Sequence, residues 1–367
     1  MGKQEIRVRI AMSGGVDSAV ATLLLQREGC ACEGVTMRLY REEVCRRKDR
    51  GCCSDADEED AAVVCSQLGI PHEALCCTKE FERRVIEPFV RAYEAGQTPN
   101  PCLACNRYLK FDTLLEASLA EGFDCLATGH YARIGQEAAA GRWQLRKALD
   151  AEKDQSYVLY MLNQHQLAHL RLPLGALSKA EIRRIAREQG LVVAHKRDSQ
   201  DICFVSDGDY AAFLERRTGR CWPEGEILNP AGRVLGRHRG AVRYTVGQRR
   251  GLGLAAGEPV YVLGKDMARN TVTVGPERAL YRRELTAGDF NWLSIPEPEG
   301  PIRALARTRY HQQERPATIW PLPGGRIRLR FDEAQLAITP GQAVVLYEGD
   351  LLLGGGTIQS VGTEGVG

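Results

Sequence analysis

Apolar runs alternate with segments of helical periodicity over the first two hundred residues. Runs typical of buried strands lie at residues 6–12, 32–40, 71–77 and 124–130. Patterns typical of amphipathic helices lie at residues 17–29, 54–69, 79–96, 112–122 and 178–190. Asp112 is the predicted N-cap of the fourth helix, and Ser178 and Glu181 form a predicted capping box on the last. This alternation predicts an α/β fold with an open parallel sheet and helices on both faces.

The pattern changes beyond about residue 205. Helical periods largely vanish, and short β-rich runs such as "TVTVG", "RIRLRF" and "QAVVLYEGDLLLGGG" alternate with turn signals. One or two small β-barrel or sandwich modules are therefore expected after the α/β domain. We predict a catalytic α/β domain over residues 1–205, a small central β-rich domain over 206–283 and a C-terminal β-barrel over 284–367.

Composition fits a soluble globular protein. The chain has 367 residues, 44% of them hydrophobic and 26% charged, with a net charge of +2. No apolar run is long enough to span a bilayer, and the first residues lack the hydrophobic region of a signal peptide, so we expect a cytoplasmic protein with no membrane partner. The six arginines between Arg233 and Arg250, with no carboxylate among them, fit a phosphate-contacting surface and a solvated face equally well.

The segment "IAMSGGVDSAVA", residues 10–21, is the strongest chemical signal. Two glycines follow the first strand and lead into the first helix, so backbone N–H groups and the helix N-terminus can hold an anion. Asp17 is acidic where a phosphate would lie, which fits a Mg²⁺ ligand or a residue that braces the loop. A Walker motif is absent, which disfavours an ordinary P-loop nucleotidase. The segment "SGGVDS" resembles instead the S-G-G-x-D-S loop of N-type ATP pyrophosphatases, which split ATP into pyrophosphate and an adenylyl group.

The second signal is the pair Cys102 and Cys105 in "TPNPCLACNRYLKF", a stretch whose prolines and asparagines predict a turn. A zinc deaminase would need H-x-E besides P-C-x-x-C, and that motif is missing. A thioredoxin-like redox pair would begin a helix after the first strand, and this pair does not. The third interpretation makes a cysteine the sulfur nucleophile that replaces an adenylylated oxygen.

Most of the 13 cysteines are expected to fill the core, because their number is odd and several, such as Cys65 and Cys125, lie in apolar patterns. Cys45, Cys52 and Cys53 share a charged loop but lack the C-x-x-C pair typical of a zinc site.

Seven motifs occur in order between residues 11 and 310: "AMSGGVDS", "TPNPC..CNRYLKF", "TGHYAR", "KDQSYVLY", "DSQDICF", "TVGQRRGLG" and "RTRY". Together they resemble the tRNA-specific 2-thiouridylase family over nearly the whole chain. The resemblance implies an ATP-pyrophosphatase domain, a small central domain and a C-terminal β-barrel that contacts tRNA. It also implies an enzyme, a tRNA-uridine 2-sulfurtransferase that thiolates wobble uridine 34.

The resemblance further implies roles for individual residues. Cys105 matches the nucleophile, and Cys203 matches the cysteine that carries sulfur as a persulfide. The residues implied to hold ATP are Ala11, Met12, Ser13, Gly14, Gly15, Val16, Asp17, Ser18, Met37 and Gly129. Those implied to face the tRNA or its target base are Asn100, Pro101, Cys102, His130, Lys153, Asp154, Gln155, Arg309, Tyr310 and Gln342.

The implied reaction has two steps. The C2 oxygen of uridine 34 attacks the α-phosphate of ATP, which is expected to carry Mg²⁺, and pyrophosphate leaves. The terminal sulfur of the Cys203 persulfide then attacks C2 and AMP leaves. Cys105 either releases hydrosulfide from the persulfide or closes a Cys105–Cys203 disulfide after transfer. The expected sulfur donor is a cysteine desulfurase, a persulfide relay protein or free sulfide.

One departure from the family pattern concerns Cys102, where many members carry Asp. With Cys105 and Cys203 it offers three thiolates that could ligate three irons of a [4Fe–4S] cluster and leave the fourth iron to bind hydrosulfide. The sequence is compatible with both routes. Two other functions are compatible with parts of it: an ATP pyrophosphatase or adenylating ligase acting on a small molecule, and a non-catalytic RNA-binding protein. The paired cysteines disfavour the first, and the intact "SGGVDS" loop disfavours the second.

Overall fold

The computed structural model describes residues 5–40, 55–137, 141–197, 202–205, 208–254 and 257–362. The strands of its N-terminal part are β1 (Arg7–Ala11), β2 (Ala31–Arg38), β3 (His72–Cys76), β4 (Cys125–Ala127), β5 (Ala132–Gln136), β6 (Trp143–Lys147) and β7 (Leu170–Arg171). Its helices are α1 (Val16–Arg27), α2 (Asp55–Leu68), α3, α4, α5 (Gln164–Ala168) and α6 (Lys179–Glu188). Two of these helices are composite. Helix α3 joins Thr78–Phe81, a π-helical turn Glu82–Ile86 and Glu87–Glu94, and α4 joins Pro101–Ala104, a π-helical stretch Cys105–Leu114 and Leu115–Ala120.

Five of these strands form the predicted parallel sheet, in the order β3-β2-β1-β4-β7. The central strand is fully covered, since Val8 and Ile10 are 0% exposed. The strand order reverses between β1 and β4, and ligands of open α/β sheets bind at the carboxyl ends of the strands at such a point. The sheet therefore confirms the predicted fold and locates its crevice after β1 and β4.

Helix α4 corrects two expectations. Asp112 does not cap a helix, and Cys102 and Cys105 do not lie in a turn, because α4 already begins at Pro101. Asn100 Oδ1 accepts a hydrogen bond from Cys102 N at 3.1 Å, and proline follows at the first helical position, where it needs no N–H partner. The wider π-helical stretch then buries its apolar side chains in the core. Cys105 is thus held on a rigid element.

The central part begins with a helix that the sequence pattern did not predict, α7 (Tyr210–Thr218). Asp209 caps it by accepting from Ala212 N at 2.9 Å, and Gly219 ends it with a left-handed φ of +66°. The strands β8 (Gly225–Leu228), β9 (Val234–His238), β10 (Tyr261–Asp266) and β11 (Thr271–Gly275) follow in the order β10-β11-β8-β9. Of the six arginines in this region, Arg243 pairs with Glu215 on α7 at 2.8 Å.

The C-terminal part confirms the predicted β-barrel. Its strands are β12 (Tyr281–Trp292), β13 (Ile302–Arg307), β14 (Arg315–Leu322), β15 (Arg326–Leu336), β16 (Ala343–Glu348) and β17 (Leu351–Val361). The barrel closes because β12 pairs with both β15 and β17. The hairpin β5–β6 of the N-terminal part extends this sheet, with Leu351 opposite Arg146 and Leu352 opposite Leu145. Sequence patterns did not predict this junction.

A buried polar network joins the first domain to the barrel. The Asp154 carboxylate accepts from Ala148 N and Ser156 N at 3.1 Å, from Ser156 Oγ at 2.8 Å and from Arg307 Nη2 at 3.1 Å. The side chains of Arg307 and Asp154 are only 10% and 5% exposed. Arg307 Nη2 also donates to Tyr347 Oη at 2.8 Å. Each charge depends on the other, because an unpaired ion in such a site is costly.

Replacement of Asp154 by alanine should therefore leave the Arg307 cation buried without its partner carboxylate. We expect Asp154→Ala to lower the free energy of unfolding by about 3–5 kcal/mol, measured by chemical denaturation. Asp332→Ala, which breaks the exposed Arg303–Asp332 pair of the barrel, is the matched control and should leave the melting temperature nearly unchanged. Equal effects of the two substitutions would contradict a structural role of the buried pair.

The central domain meets α3 through a lysine whose titration should be measurable. Lys265 Nζ donates to Tyr244 O at 2.8 Å and lies 6.0 Å from the ring centroid of Tyr93. Burial lowers the pKa of Lys265 to about 8. The unfolded chain therefore binds more protons than the folded chain between about pH 8 and about pH 10, and the stability contributed by this group rises with pH there.

We expect the free energy of unfolding of the wild type, relative to Lys265→Met, to rise by on the order of 2 kcal/mol between about pH 8 and about pH 10. Below about pH 8 the difference should be constant, because Lys265 is then charged in both states. Guanidinium unfolding of both proteins at each pH measures it. A difference that stays constant up to about pH 10 would contradict the lowered pKa.

Candidate active site

The phosphate loop lies between β1 and α1, at the carboxyl edge of the sheet. Gly14 has a φ of +64°, and a Cβ there would lie 2.2 Å from the backbone oxygen of Asp57 in α2. Only glycine fits, because any side chain would collide with that backbone. The Ser18 hydroxyl is buried, donates to Gly15 O at 3.1 Å and accepts from Ser13 N at 3.3 Å. These contacts fix the loop at the N-terminus of α1, where anions bind.

Asp17 is braced by side chains from two other segments. Tyr131 Oη donates to Asp17 Oδ1 at 2.6 Å, and Lys179 Nζ lies 2.8 and 2.9 Å from the two carboxylate oxygens. Lys179 is the first residue of α6 and lies within the predicted capping box of Ser178 and Glu181, which the structure contains. Sequence reasoning missed Lys179, although the box located it at a helix N-terminus. Of the two interpretations of Asp17, the geometry matches the bracing one.

A second cation that sequence reasoning missed lies beside the loop. Lys196 Nζ contacts Asp57 Oδ1 and Asp60 Oδ2, both at 2.6 Å. Asp57 is also the residue whose backbone packs on Gly14. Lysines from two separate segments, Lys179 and Lys196, therefore adjoin the phosphate loop, and no local motif distinguishes Lys196 from other lysines of the chain.

Gly129 brings the end of β4 against the start of α1. A Cβ at Gly129 would lie 3.0 Å from both the carbonyl carbon of Asp17 and the amide nitrogen of Ser18. Glycine at this position therefore lets the two elements approach closely beside the loop. The remaining residues predicted to hold ATP surround this point: Ala11 and Met12 at the end of β1, Val16 at the start of α1 and Met37 near the end of β2.

His130 links the phosphate loop to the cysteine helix α4. It follows Gly129 directly, and its ring centroid lies 5.6 Å from that of Phe111 on α4. Burial lowers the pKa of His130 well below its ordinary value, and the nearby Lys110 acts in the same direction. The imidazole is therefore neutral near pH 7. Phe111 lies on the same helix as Cys105, so contacts through Gly129 and His130 connect the loop with that helix.

The side chains of α4 fix the orientation of its cysteines. Asn106, next to Cys105, is buried and donates from Nδ2 to Val158 O at 3.2 Å, which ties α4 to the segment after Asp154. Cys102 is exposed, and Cys105 is half-buried. The helix thus presents one thiol to solvent and a second at the margin of the core.

The barrel covers the start of α4. Gln342 Nε2 donates to Thr98 O, and Gly341 packs against Gln97. Burial raises the pKa of the Tyr310 phenol, and the nearby Asp154 and Cys102 raise it further while Arg307 opposes them. Cys102 is thus close to Tyr310. The structure therefore brings together two barrel residues predicted to touch tRNA and the segment predicted to face its target base.

Cys203 lies at the margin of the same hydrophobic core as Cys105. Its carbonyl accepts from Tyr40 Oη at 3.3 Å, and the next residue, Phe204, is 2% exposed. Tyr40 follows β2, whose carboxyl end adjoins the crevice. The two predicted sulfur-handling cysteines therefore border one core at the carboxyl side of the sheet.

Three other residues predicted to contact tRNA have structural partners. Asp154 is buried in the network with Arg307, and Gln155 Oε1 accepts from Tyr131 N at 2.9 Å. Arg309 Nη2 donates to Val246 O, Ala337 O and Thr339 Oγ1 at 3.2, 2.9 and 3.0 Å, which connects the central domain to the barrel. Asp154 therefore has little surface to offer RNA in this conformation, whereas Lys153 and Gln155 beside it are half-buried.

The expectation that most cysteines fill the core is wrong for the described residues: Cys65, Cys77 and Cys125 are buried, whereas the other described cysteines are half-buried or exposed. Cys65 and Cys125 are 0% and 3% exposed, and burial raises the pKa of Cys65 to about 12. Burial also raises the pKa of Cys32 to about 11, and the nearby Cys30 adds to the effect. Such thiols are poor nucleophiles, because the thiolate is the reactive form. Cys45, Cys52 and Cys53 lie outside the described residues.

Within the described ranges, no three side chains of His, Cys, Asp or Glu gather into a group able to hold a metal ion. Cys102, Cys105 and Cys203, the three cysteines named for an iron–sulfur cluster, lie within these described ranges. The described part of the chain also contains no helix with the length and apolar character needed to cross a bilayer.

Family models match three stretches of the chain: a tRNA methyl transferase HUP domain over residues 6–207, a tRNA methyl transferase PRC-barrel domain over 211–276 and an aminomethyltransferase beta-barrel domain over 282–358. A tRNA-specific 2-thiouridylase MnmA of Moorella thermoacetica is 50% identical over 353 residues, which cover 96% of this chain and 99% of the relative. The protein of the same name from Pelotomaculum thermopropionicum is 47% identical over 361 residues, 98% of this chain and 99% of the relative. The chain belongs to the tRNA-specific 2-thiouridylase family.

Membership of the 2-thiouridylase family confirms the resemblance seen in the motifs. A third relative of that name, from Symbiobacterium thermophilum, is 49% identical over 358 residues, which cover 96% of this chain and 92% of the relative. Because these matches span nearly the whole length of each chain, they include the catalytic domain, the central domain and the barrel together.

The close approach of Gly129 to α1 gives a sharp test of the nucleotide site. We expect Gly129→Ala to weaken ATP binding by about tenfold, because a Cβ in this tight contact would displace the phosphate loop. Isothermal titration with ATP measures the change. Gly135→Ala in β5, where a Cβ meets nothing within 4 Å, is the matched control and should bind like the wild type. An ATP affinity that is unchanged in Gly129→Ala would contradict the placement of the phosphate loop in the nucleotide site.

Proposed function

We propose that this protein is an ATP-dependent tRNA 2-thiouridylase. The observation that carries the proposal is the continuous set of contacts from the phosphate loop through Gly129, His130 and Phe111 to the helix of Cys105. A nucleotide-activating loop and a half-buried thiol thereby adjoin one crevice, as adenylylation followed by sulfur transfer requires.

The first step is adenylylation of the target base. Backbone N–H groups of the phosphate loop and the N-terminus of α1 hold the triphosphate, and the C2 oxygen of uridine 34 attacks the α-phosphorus while pyrophosphate leaves. Lys179 lies beside Asp17 at the loop and is positioned to stabilise phosphate charge. A Mg²⁺ ion would be held largely by the phosphates, as is usual for nucleotide sites.

The second step replaces the activated oxygen by sulfur. The terminal sulfur of a persulfide on Cys203 attacks C2, and AMP leaves. The Cys105 thiolate then attacks the Sγ of Cys203, which frees the 2-thiouridine sulfur and leaves a Cys105–Cys203 disulfide for a dithiol reductant. The alternative order, in which Cys105 first releases hydrosulfide, uses the same two residues. The sulfur reaches Cys203 from a protein persulfide of a cysteine desulfurase or relay protein, whose outer sulfur is transferred to the Cys203 thiolate. Free sulfide would instead open the Cys105–Cys203 disulfide, which leaves a persulfide on Cys203 and a thiol on Cys105.

The RNA is held by the barrel and by the segment before α4. Asn100, Pro101 and Cys102 face the extruded base, and Tyr310 and Gln342 lie over this segment from the barrel. Lys153 and Gln155 contact the RNA at the surface, and His130 contacts the base as a neutral imidazole. Asp154 and Arg309 stabilise the surrounding structure through their hydrogen bonds.

Nucleoside analysis of unmodified tRNA incubated with the protein, ATP and a sulfide source tests the proposal. We expect 2-thiouridine from the wild type and none from Cys105→Ser or Cys203→Ser. Cys221→Ser removes an exposed thiol of the central domain and is the matched control, with full activity expected. Pyrophosphate release that a small metabolite stimulates and tRNA does not would overturn the proposal.

The persulfide and cluster routes differ at Cys102. The persulfide route requires only two cysteines, so Cys102→Ser should retain most of the activity, whereas a three-thiolate cluster would be lost. Anaerobic purification with iron and sulfide analysis is the independent measurement. Bound iron in the wild type together with an inactive Cys102→Ser would contradict the persulfide route.

A further inference from the structure

A row of aromatic side chains surrounds the residue next to Cys203. The Phe204 ring lies 5.6 Å from Phe81 and 5.2 Å from Phe89, both on α3, in edge-on geometry. It also lies 5.2 Å from Phe213 on α7. We call these four residues, Phe81, Phe89, Phe204 and Phe213, the aromatic row. Edge-to-face pairs at such distances stabilise one relative orientation of the rings beyond simple burial.

The aromatic row crosses a domain boundary. Phe81, Phe89 and Phe204 belong to the first domain, whereas Phe213 is a buried residue of the central domain, 3% exposed. Helix α7 is fastened to α3 at further points: Tyr210 stacks on Tyr93 with ring centroids 4.6 Å apart, and Arg217 forms an ion pair with Glu82. Arg220, just beyond the helix, pairs with Glu94 at 3.0 Å.

Cys203 is therefore held from two sides. Tyr40 Oη donates to its carbonyl from the end of β2, and Phe204 anchors the following residue in the aromatic row. Tyr40 also adjoins the row, with its ring 6.2 Å from Phe81. A displacement of Phe213 by the central domain would be transmitted to Phe204, one peptide bond away from Cys203, because packed rings cannot shift independently.

We infer that the central domain takes part in sulfur transfer by positioning Cys203, and that Phe213 is the positioning residue through which it acts. The inference rests on the proposed role of Cys203 and adds to it a function for a domain that contributes no residue to the predicted catalytic pair. Attack of a persulfide on C2 requires the two atoms in line and nearly in contact, so small displacements of Cys203 slow this step. Adenylylation uses the phosphate loop and does not depend on the row.

The test is Phe213→Leu compared with Phe331→Leu, a substitution of an equally buried phenylalanine in the barrel core. The first readout needs neither ATP nor tRNA: alkylation of Cys203 by iodoacetamide, followed by mass spectrometry, with Cys105 of the same molecule as the internal reference. We expect the Cys203/Cys105 ratio of alkylation rates to change by about fivefold in Phe213→Leu, as lost aromatic pairs predict, and to stay unchanged in Phe331→Leu.

The second readout is a single turnover with tRNA and ATP. We expect Phe213→Leu to release pyrophosphate at the wild-type rate and to form 2-thiouridine about fivefold more slowly, whereas Phe331→Leu keeps the wild-type ratio of the two rates. If Phe213→Leu does not fold, the double variant Arg217→Ala, Arg220→Ala takes its place, because it removes two ion pairs of α7 without opening a cavity. It should change the alkylation ratio and the ratio of the two rates in the same direction as expected for Phe213→Leu.

The same alkylation ratio and the same ratio of rates in all variants would overturn the inference. Failure of the proposed function would look different, because the wild type itself would then form no 2-thiouridine while the alkylation ratio still responded to Phe213→Leu.

Discussion

The buried ion pair between Asp154 and Arg307 is the constraint on which the architecture depends. It lies where the catalytic domain meets the barrel, and its partners Ser156 and Tyr347 come from both sides of that boundary. A buried pair favours one arrangement, since separation would leave two desolvated charges. The barrel residues Tyr310 and Gln342 consequently keep a fixed relation to the start of α4. The position of this part of the barrel against α4 thus depends on a charge pair that lies outside the contact itself.

Local signals in the sequence were enough to predict the parallel sheet and the phosphate loop. The strand–helix alternation and the small residues at Gly14 and Gly15 act over a few neighbouring positions, and the structure follows them. The capping box at Ser178 was predicted for the same reason. Such features can be predicted without information about distant residues, because the interactions that form each of them lie within one turn or one strand.

The features that sequence reasoning missed depend on distant partners. Helix α4 runs through Asp112 because core contacts outweigh a local N-cap signal, and α7 is short enough that Asp209 and Gly219 are its main local marks. Lys179 becomes informative only when α1 and α6 are placed side by side, since Lys179 and its partner Asp17 are far apart in the chain. The roles implied for Cys105 and Cys203 came from family motifs; composition alone pointed to core filling.

The hairpin β5–β6 has a consequence for how the polypeptide is made. Arg146 pairs with Leu351, so the strand that completes the junction is synthesised long after β6. Until then, the outer edge of β6 presents unsatisfied backbone groups, a surface on which nascent chains readily associate with one another. A non-local pairing of this kind also slows folding. Synthesis of this protein therefore includes an interval in which the edge of β6 is unpaired, and this interval ends only when β17 has been made.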